Sequence, residues 1–179
     1  MTEVSPLIKD GALCYNGKVV FVSGAGGSIG SEICRQVLER RPTKLILFEL
    51  SELALYNIDM ELRQLAEGSG VEVVPVLGTV TDSRQLRKVL AEHSVNVILH
   101  AAAYKHVPLV EANPLSGLVN NVLGTQTLAE QAARAGVERF ILISTDKAVR
   151  PAHLLGGPHG SAGLVGEGQP RHPGGAGAA

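Results

Sequence analysis

An α/β fold built on a doubly wound parallel sheet is what this sequence predicts, and three observations predict it. Strand-like and helix-like segments alternate from Lys18 onward. The strand segments are apolar throughout rather than alternating, the pattern of strands covered by helices on both faces. The first strand is joined to the first helix by Gly24-Ala25-Gly26-Gly27-Ser28-Ile29-Gly30, a glycine-rich turn.

Each element follows from local signals. Lys18–Ser23 is a short β-branched run that the glycines end. Ser28–Arg41 reads as a helix, with Ile29, Ile33, Val37 and Leu38 on one face and Pro42 as its stop. Thr43–Leu50 is a second apolar strand. Ser51 is a candidate N-cap for a helix that begins at Ala54, runs to Glu67 and ends at Gly68. Val71–Leu77 is a third strand, and Asp82–His93 an amphipathic helix with Leu86, Val89 and Leu90 inward. Val95–Leu99 is a fourth strand. A loop leads to a long helix from Pro114 to Ala135, ended by Gly136, and Val137–Ser144 is a fifth strand. Right-handed crossovers predict the strand order 3-2-1-4-5, a Rossmann fold.

Residues 1–17 read as an N-terminal extension and 18–151 as the dinucleotide-binding domain. Beyond Pro151, the stretch Ala152–Ala179 has 9 Gly and 3 Pro in 28 residues. Such a composition cannot bury enough apolar surface to offset its ordering entropy, so a disordered tail is expected and the fold is expected to be incomplete.

Bulk properties narrow the function classes. A length of 179 residues suits one domain with a real core. The net charge of −1 provides no footprint for nucleic acid or anionic lipid, and 3% aromatic residues without Trp argue against base stacking. No signal peptide is visible in Met1–Asp10, and the apolar runs fall well short of the roughly 20 residues that span a bilayer. Cys14 and Cys34 have no ligand-like spacing, and Cys34 lies in a helix, so a buried free thiol in a reducing, cytoplasmic setting is expected. His100 and His106 have no acidic or thiol partners at ligand spacing; they read as packing residues, and no metal is expected.

The chemistry concentrates at the first turn. A loop that ends a strand and opens a helix offers free backbone N–H groups at the positive end of the helix dipole, and so binds phosphate. Gly24 allows the tight turn, Gly27 lets a pyrophosphate approach the backbone, and Gly30 lets the helix pack closely on the sheet. Glu49 closes the second strand, 19 residues after Gly30, placed to accept a ribose hydroxyl. A carboxylate there disfavours a 2′-phosphate, so NAD is favoured over NADP.

From Gly24 to Pro151 the chain resembles the extended short-chain dehydrogenase/reductases, and within them the CapD-like nucleotide-sugar 4,6-dehydratases of polysaccharide biosynthesis. The resemblance is carried by Gly-Ala-Gly-Gly-Ser-Ile-Gly-Ser-Glu (24–32), Ser-Glu-Leu-Ala-Leu-Tyr (51–56) and His-Ala-Ala-Ala-Tyr-Lys-His-Val-Pro (100–108). It continues in Glu-Ala-Asn-Pro (111–114), Asn-Asn-Val-Leu-Gly-Thr (120–125) and Ser-Thr-Asp-Lys-Ala-Val-Arg-Pro (144–151). It covers the N-terminal half of such a catalytic domain.

The resemblance implies a redox cycle on a sugar such as UDP-N-acetylglucosamine: hydride leaves C4 for NAD or NADP, a base removes the C5 proton, water departs from C6, and hydride returns to C6. It implies that Asp146 protonates the departing hydroxyl, Lys147 is the base at C5, and Thr145 hydrogen-bonds the C4 oxygen. It places Gly24, Gly26, Gly27, Ser28, Ile29, Gly30, Glu49 and Ser51 around the phosphates and ribose, and Thr79 and Val80 beside the adenine. Ala101, Ala102 and Tyr104 would line the cofactor, Lys105 would reach the cleft, and Asn121 would brace the site. The family usually has Asp where this chain has Thr79. Homo-oligomers are typical of the superfamily.

One departure matters more. The family's Tyr/Met-x-x-x-Lys pair falls on Leu155 and His159, inside the Gly/Pro-rich tail. A truncated domain with a tail read out of frame would explain this. Two alternatives therefore accompany the dehydratase: a dinucleotide-binding module without turnover, and a nucleotide-sugar 4-epimerase. Asp146-Lys147 argues against the epimerase, which eliminates nothing.

Overall fold

The computed structural model describes residues 15–102 and 122–143. In chain order the described elements are β1 (Val19–Ser23), α1 (Ser28–Glu39), β2 (Lys44–Glu49), α2 (Glu52–Ala66), β3 (Glu72–Leu77), α3 (Ser83–Glu92), β4 (Val97–His100), α4 (Gly124–Arg134) and β5 (Arg139–Leu142). The strands form one parallel sheet in the order β3-β2-β1-β4-β5, as the crossover rule requires.

Because side chains alternate along a strand, each central strand feeds two cores. Val20, Val22, Leu45, Leu47, Val97 and Leu99 face one side, where Ile33, Cys34 and Val37 of α1 and Leu55, Ile58 and Leu62 of α2 cover them. Phe21, Ile46, Phe48 and Ile98 face the other, beneath Leu86, Val89 and Leu90 of α3 and Leu128 and Ala132 of α4. Tyr15, within the expected extension, is 1% exposed and belongs to the first core. Cys34 is a buried free thiol, and burial pushes its pKa up.

The expectation of strands buried on both faces holds for β1, β2 and β4 and fails at the edges. Pro75 and Leu77 of β3 are exposed, and β5 is at best half-buried. An edge strand lacks one neighbour, which is also why β3 tolerates a proline. Helix ends moved as well. α1 stops at Glu39, because Arg41, next to Pro42, takes φ +51° and leaves the helical region. α2 begins at Glu52, with the Ser51 hydroxyl accepting from Ala54 N at 3.3 Å. Of the long fourth helix, the part before residue 122 lies outside the described residues, as do Cys14, His106 and the stretch 152–179.

Two polar braces add to the packing, one among residues at the starts of strands and one between helices. At the amino end of the sheet, Lys18 donates to both oxygens of Glu138, and Asn96 joins them through its Nδ2. Arg35 of α1 bridges to Glu61 of α2 and to Glu32 on its own helix.

Candidate functional site

The glycine turn is built by hydrogen bonds of its own. Gly24 takes φ +68°, and a Cβ there would lie 2.8 Å from the Ala102 backbone. The amides of Gly24 and Ala25 both reach the Phe48 carbonyl of β2, at 2.8 and 3.4 Å, so the β1–β2 ladder continues into the loop. Gly27 N donates to the Gly24 carbonyl at 3.1 Å, and Ser31 N to that of Gly27 at 2.8 Å, the first bond of α1. Gly27 is the N-cap, and α1 has no side-chain cap. The N–H groups of Ser28, Ile29 and Gly30 therefore belong to a first turn that has no intrahelical acceptors for them, at the positive end of the helix.

Gly30 has a different reason from the one expected. A Cβ on it would sit 1.9 Å from the Gly24 carbonyl oxygen and 3.1 Å from Ala25 Cα. The close approach is thus between α1 and the loop's own first residues rather than the sheet. Gly26 has an unforeseen role: a Cβ there would meet Ala54 Cβ at 2.6 Å, so its absence lets α2 pack against the loop.

A cavity of about 240 Å³ opens at the carboxyl end of the sheet. Of the anticipated residues, Gly24, Gly26, Gly27, Glu49, Thr79, Val80, Ala101 and Ala102 line it. Ser51 instead lines a neighbouring cavity between α1 and α2, together with Gly26 and Arg35. Phe48, Leu50, Ala54 and Gly78 also line the first cavity and escaped the sequence reading. Ala54 comes to the cavity through its close approach to Gly26, a contact between α2 and the loop that local spacing does not announce.

Glu49 sits where the spacing put it, at the end of β2, and its carboxylate is already engaged. Oε2 accepts from Gly26 N at 3.0 Å, and Oε1 accepts from Leu50 N at 2.8 Å and Ser51 N at 3.0 Å. The Thr79 hydroxyl pairs with that of Thr81 at 2.9 Å, and Val80 is buried at 3% exposure.

His100 does more than pack. Its Nδ1 lies 2.5 Å from the Ser23 hydroxyl and its Nε2 2.8 Å from the Thr125 hydroxyl, all three side chains being buried. The ring thus bridges β1, β4 and α4, one residue before the cavity-lining Ala101. On the same edge, Ile143 N reaches the His100 carbonyl at 2.9 Å. Tyr104, Lys105, Asn121, Thr145, Asp146 and Lys147, with Leu155 and His159, lie outside the described residues. No helix among the described residues is long and apolar enough to cross a membrane.

Comparison with known proteins agrees with this geometry. The capsular polysaccharide biosynthesis protein CapD of Staphylococcus aureus is 46% identical over 139 residues, 78% of this chain and 23% of CapD. The inverting UDP-N-acetylglucosamine 4,6-dehydratase of Campylobacter jejuni is 32% identical over 143 residues, 79% of this chain and 40% of the enzyme. UDP-glucose 4-epimerases of Rickettsia species are among the relatives too. Among solved structures, the dTDP-glucose 4,6-dehydratase DesIV of Streptomyces venezuelae, with NAD and TYD bound, superposes with a TM-score of 0.67 at 26% identity. That match covers 82% of this chain and 49% of DesIV. The chain thus spans between about a quarter and a half of the proteins it matches. With residues 20–165 matching that family throughout, it belongs to the polysaccharide biosynthesis protein family.

Proposed function

We propose that this chain is the nicotinamide-dinucleotide-binding part of a nucleotide-sugar 4,6-dehydratase that makes polysaccharide precursors. The observation that carries the reading is the union of an uncapped α1 N-terminus, a glycine loop and the Glu49 carboxylate around one cavity at the carboxyl end of a parallel sheet. The residues fit such a ligand. At Gly27 an added Cβ would meet only the Gly24 carbonyl oxygen, at 3.3 Å, so the loop backbone is open to a phosphate on its outer side. The described lining carries one carboxylate and neither Lys nor Arg, which favours NAD over NADP, because a 2′-phosphate would meet like charge.

When bound, the nicotinamide would supply hydride acceptance and return. The chain's own residues would do the rest. The first-turn N–H groups of α1 would hold the pyrophosphate, and Val80 would lie beside the adenine. Thr145 hydrogen-bonds the sugar's C4 oxygen, Lys147 takes the proton from C5, and Asp146 gives a proton to the oxygen leaving C6. A lysine serves as base near neutral pH only where burial or a neighbouring cation lowers its pKa.

Calorimetric titration with NAD tests the binding half, and incubation with UDP-N-acetylglucosamine and NAD tests the whole. A 4-keto sugar product is the expected result. Bound NAD without product would instead favour the binding-module reading, to which His159 in place of the family's lysine lends support. A chain that binds neither NAD nor its adenosine half would overturn both.

A further inference from the structure

We propose that Glu49 is a positioning residue for the phosphate loop, and that its carboxylate has one acceptor place left for a ribose hydroxyl. The proposal rests on the dinucleotide reading of the cavity. A carboxylate offers about four acceptor places, two on each oxygen. Leu50 N and Ser51 N fill both on Oε1, at 2.8 and 3.0 Å, and Gly26 N takes one on Oε2, at 3.0 Å. One place remains, on Oε2. A ribose hydroxyl would therefore meet the carboxylate at Oε2.

The bond to Gly26 is the consequential one. Gly26 stands between Gly24, whose amide is tied to β2, and Gly27, the N-cap of α1. Its own Cα lies against Ala54 of α2, with no room for a side chain. Glu49 thus draws the middle of the loop onto the β2–α2 corner. The first-turn N–H groups of α1 are aimed from that corner. Replacement by glutamine cannot keep all three bonds. An amide turned one way sets its NH₂ against Gly26 N–H, and turned the other way against Leu50 and Ser51 N–H.

The test crosses a side-chain change with a ligand change. Affinities of the wild-type chain and Glu49→Gln are measured calorimetrically for NAD, ADP and 2′,3′-dideoxy-ADP, with the thermal midpoint recorded for each protein. Dideoxy-ADP keeps the diphosphate and lacks the ribose hydroxyls. Glu49→Gln should bind dideoxy-ADP roughly tenfold more weakly than wild type does, from one lost charge-assisted bond to the loop. Equal affinity for dideoxy-ADP, with the loss confined to NAD and ADP, would show a purely ribose-reading acid and overturn the proposal. Failure of the wild type to bind any of the three would sink the dinucleotide reading and this inference with it. Amide hydrogen exchange on the ligand-free wild type needs no variant. Gly26 should be protected there and lose protection in Glu49→Gln, while Leu47 in the core keeps its own. Gly26 exchanging at an unprotected rate in the wild type would equally overturn the proposal.

Discussion

Single side chains at this site work through contacts that leave no slack. Gly30→Ala would place a methyl group 1.9 Å from the Gly24 carbonyl oxygen, closer than any atoms pack, so either the loop or the first turn of α1 must move. NAD affinity should fall by at least tenfold with the sheet's circular dichroism intact; unchanged affinity would remove the glycine's stated role. His100 makes a second case. His100→Ala deletes the ring that Ser23 and Thr125 both hydrogen-bond, in a place that is 1% exposed. The expected cost is about 2–3 kcal/mol, combining a lost buried polar link with the space left behind, and urea unfolding measures it. The residue scale is also where the sequence was least legible. His100 read as packing because Ser23 is 77 residues away and Thr125 is 25 away, so no local spacing could announce the bridge. Glu49 was found by its place after the glycines, yet its hold on Gly26 depends on the path of the turn, which spacing does not reveal.

At the scale of elements, legibility was high where punctuation is chemical. Asp82 was read as the start of α3, and its carboxylate accepts from Arg84 N at 2.9 Å and Gln85 N at 3.0 Å. Asp82→Ala should cost about 1 kcal/mol, seen as a lower denaturation midpoint with an unchanged slope. Ser51 likewise caps α2 as its hydroxyl chemistry suggests. The edges of the sheet were misjudged, because apolar content alone cannot say which strand has a neighbour on each side; Pro75 was the cue that β3 does not. The pairing of α1 with α2 carries a pH dependence. Hydrogen bonding from Arg35 holds the Glu61 carboxyl below its ordinary value of 4.5, and bonds from Gln36 and then Arg35 do the same for Glu32. A lowered pKa in the folded state means stability that is present above pH 4.5 and lost as pH falls through the lower folded value. Arg35→Ala should therefore be less stable than wild type at pH 7, with the gap closing as pH falls below 4.5. The gap should also shrink in high salt, since these groups are solvent-exposed. A gap independent of pH would show that Arg35 acts through packing alone.

For the whole molecule, the alternation of elements and the handedness of crossovers suffice to give the order of the sheet. Two separate cores then make the sheet the rigid member, with α1 and α2 on one face and α3 and α4 on the other. Ligand linkage acts on this unit as a whole. If the cavity takes NAD, saturation at 100 times the dissociation constant should raise the unfolding free energy by about 2.7 kcal/mol, and the thermal midpoint should climb with NAD concentration. A midpoint indifferent to NAD would count against the site. NADP should shift it less, given a lining with one carboxylate and no cation among the described residues.

The ladder that runs on from β1 into the glycine loop has a kinetic meaning. With Gly24 and Ala25 bound to the Phe48 carbonyl, and Gly27 to Gly24, the backbone there is ordered by folding rather than by its guest. A receptor assembled in advance has no slow rearrangement to wait for. In stopped-flow mixing, the observed association rate should rise in proportion to dinucleotide concentration without reaching a plateau, and dissociation alone should set how long the guest stays.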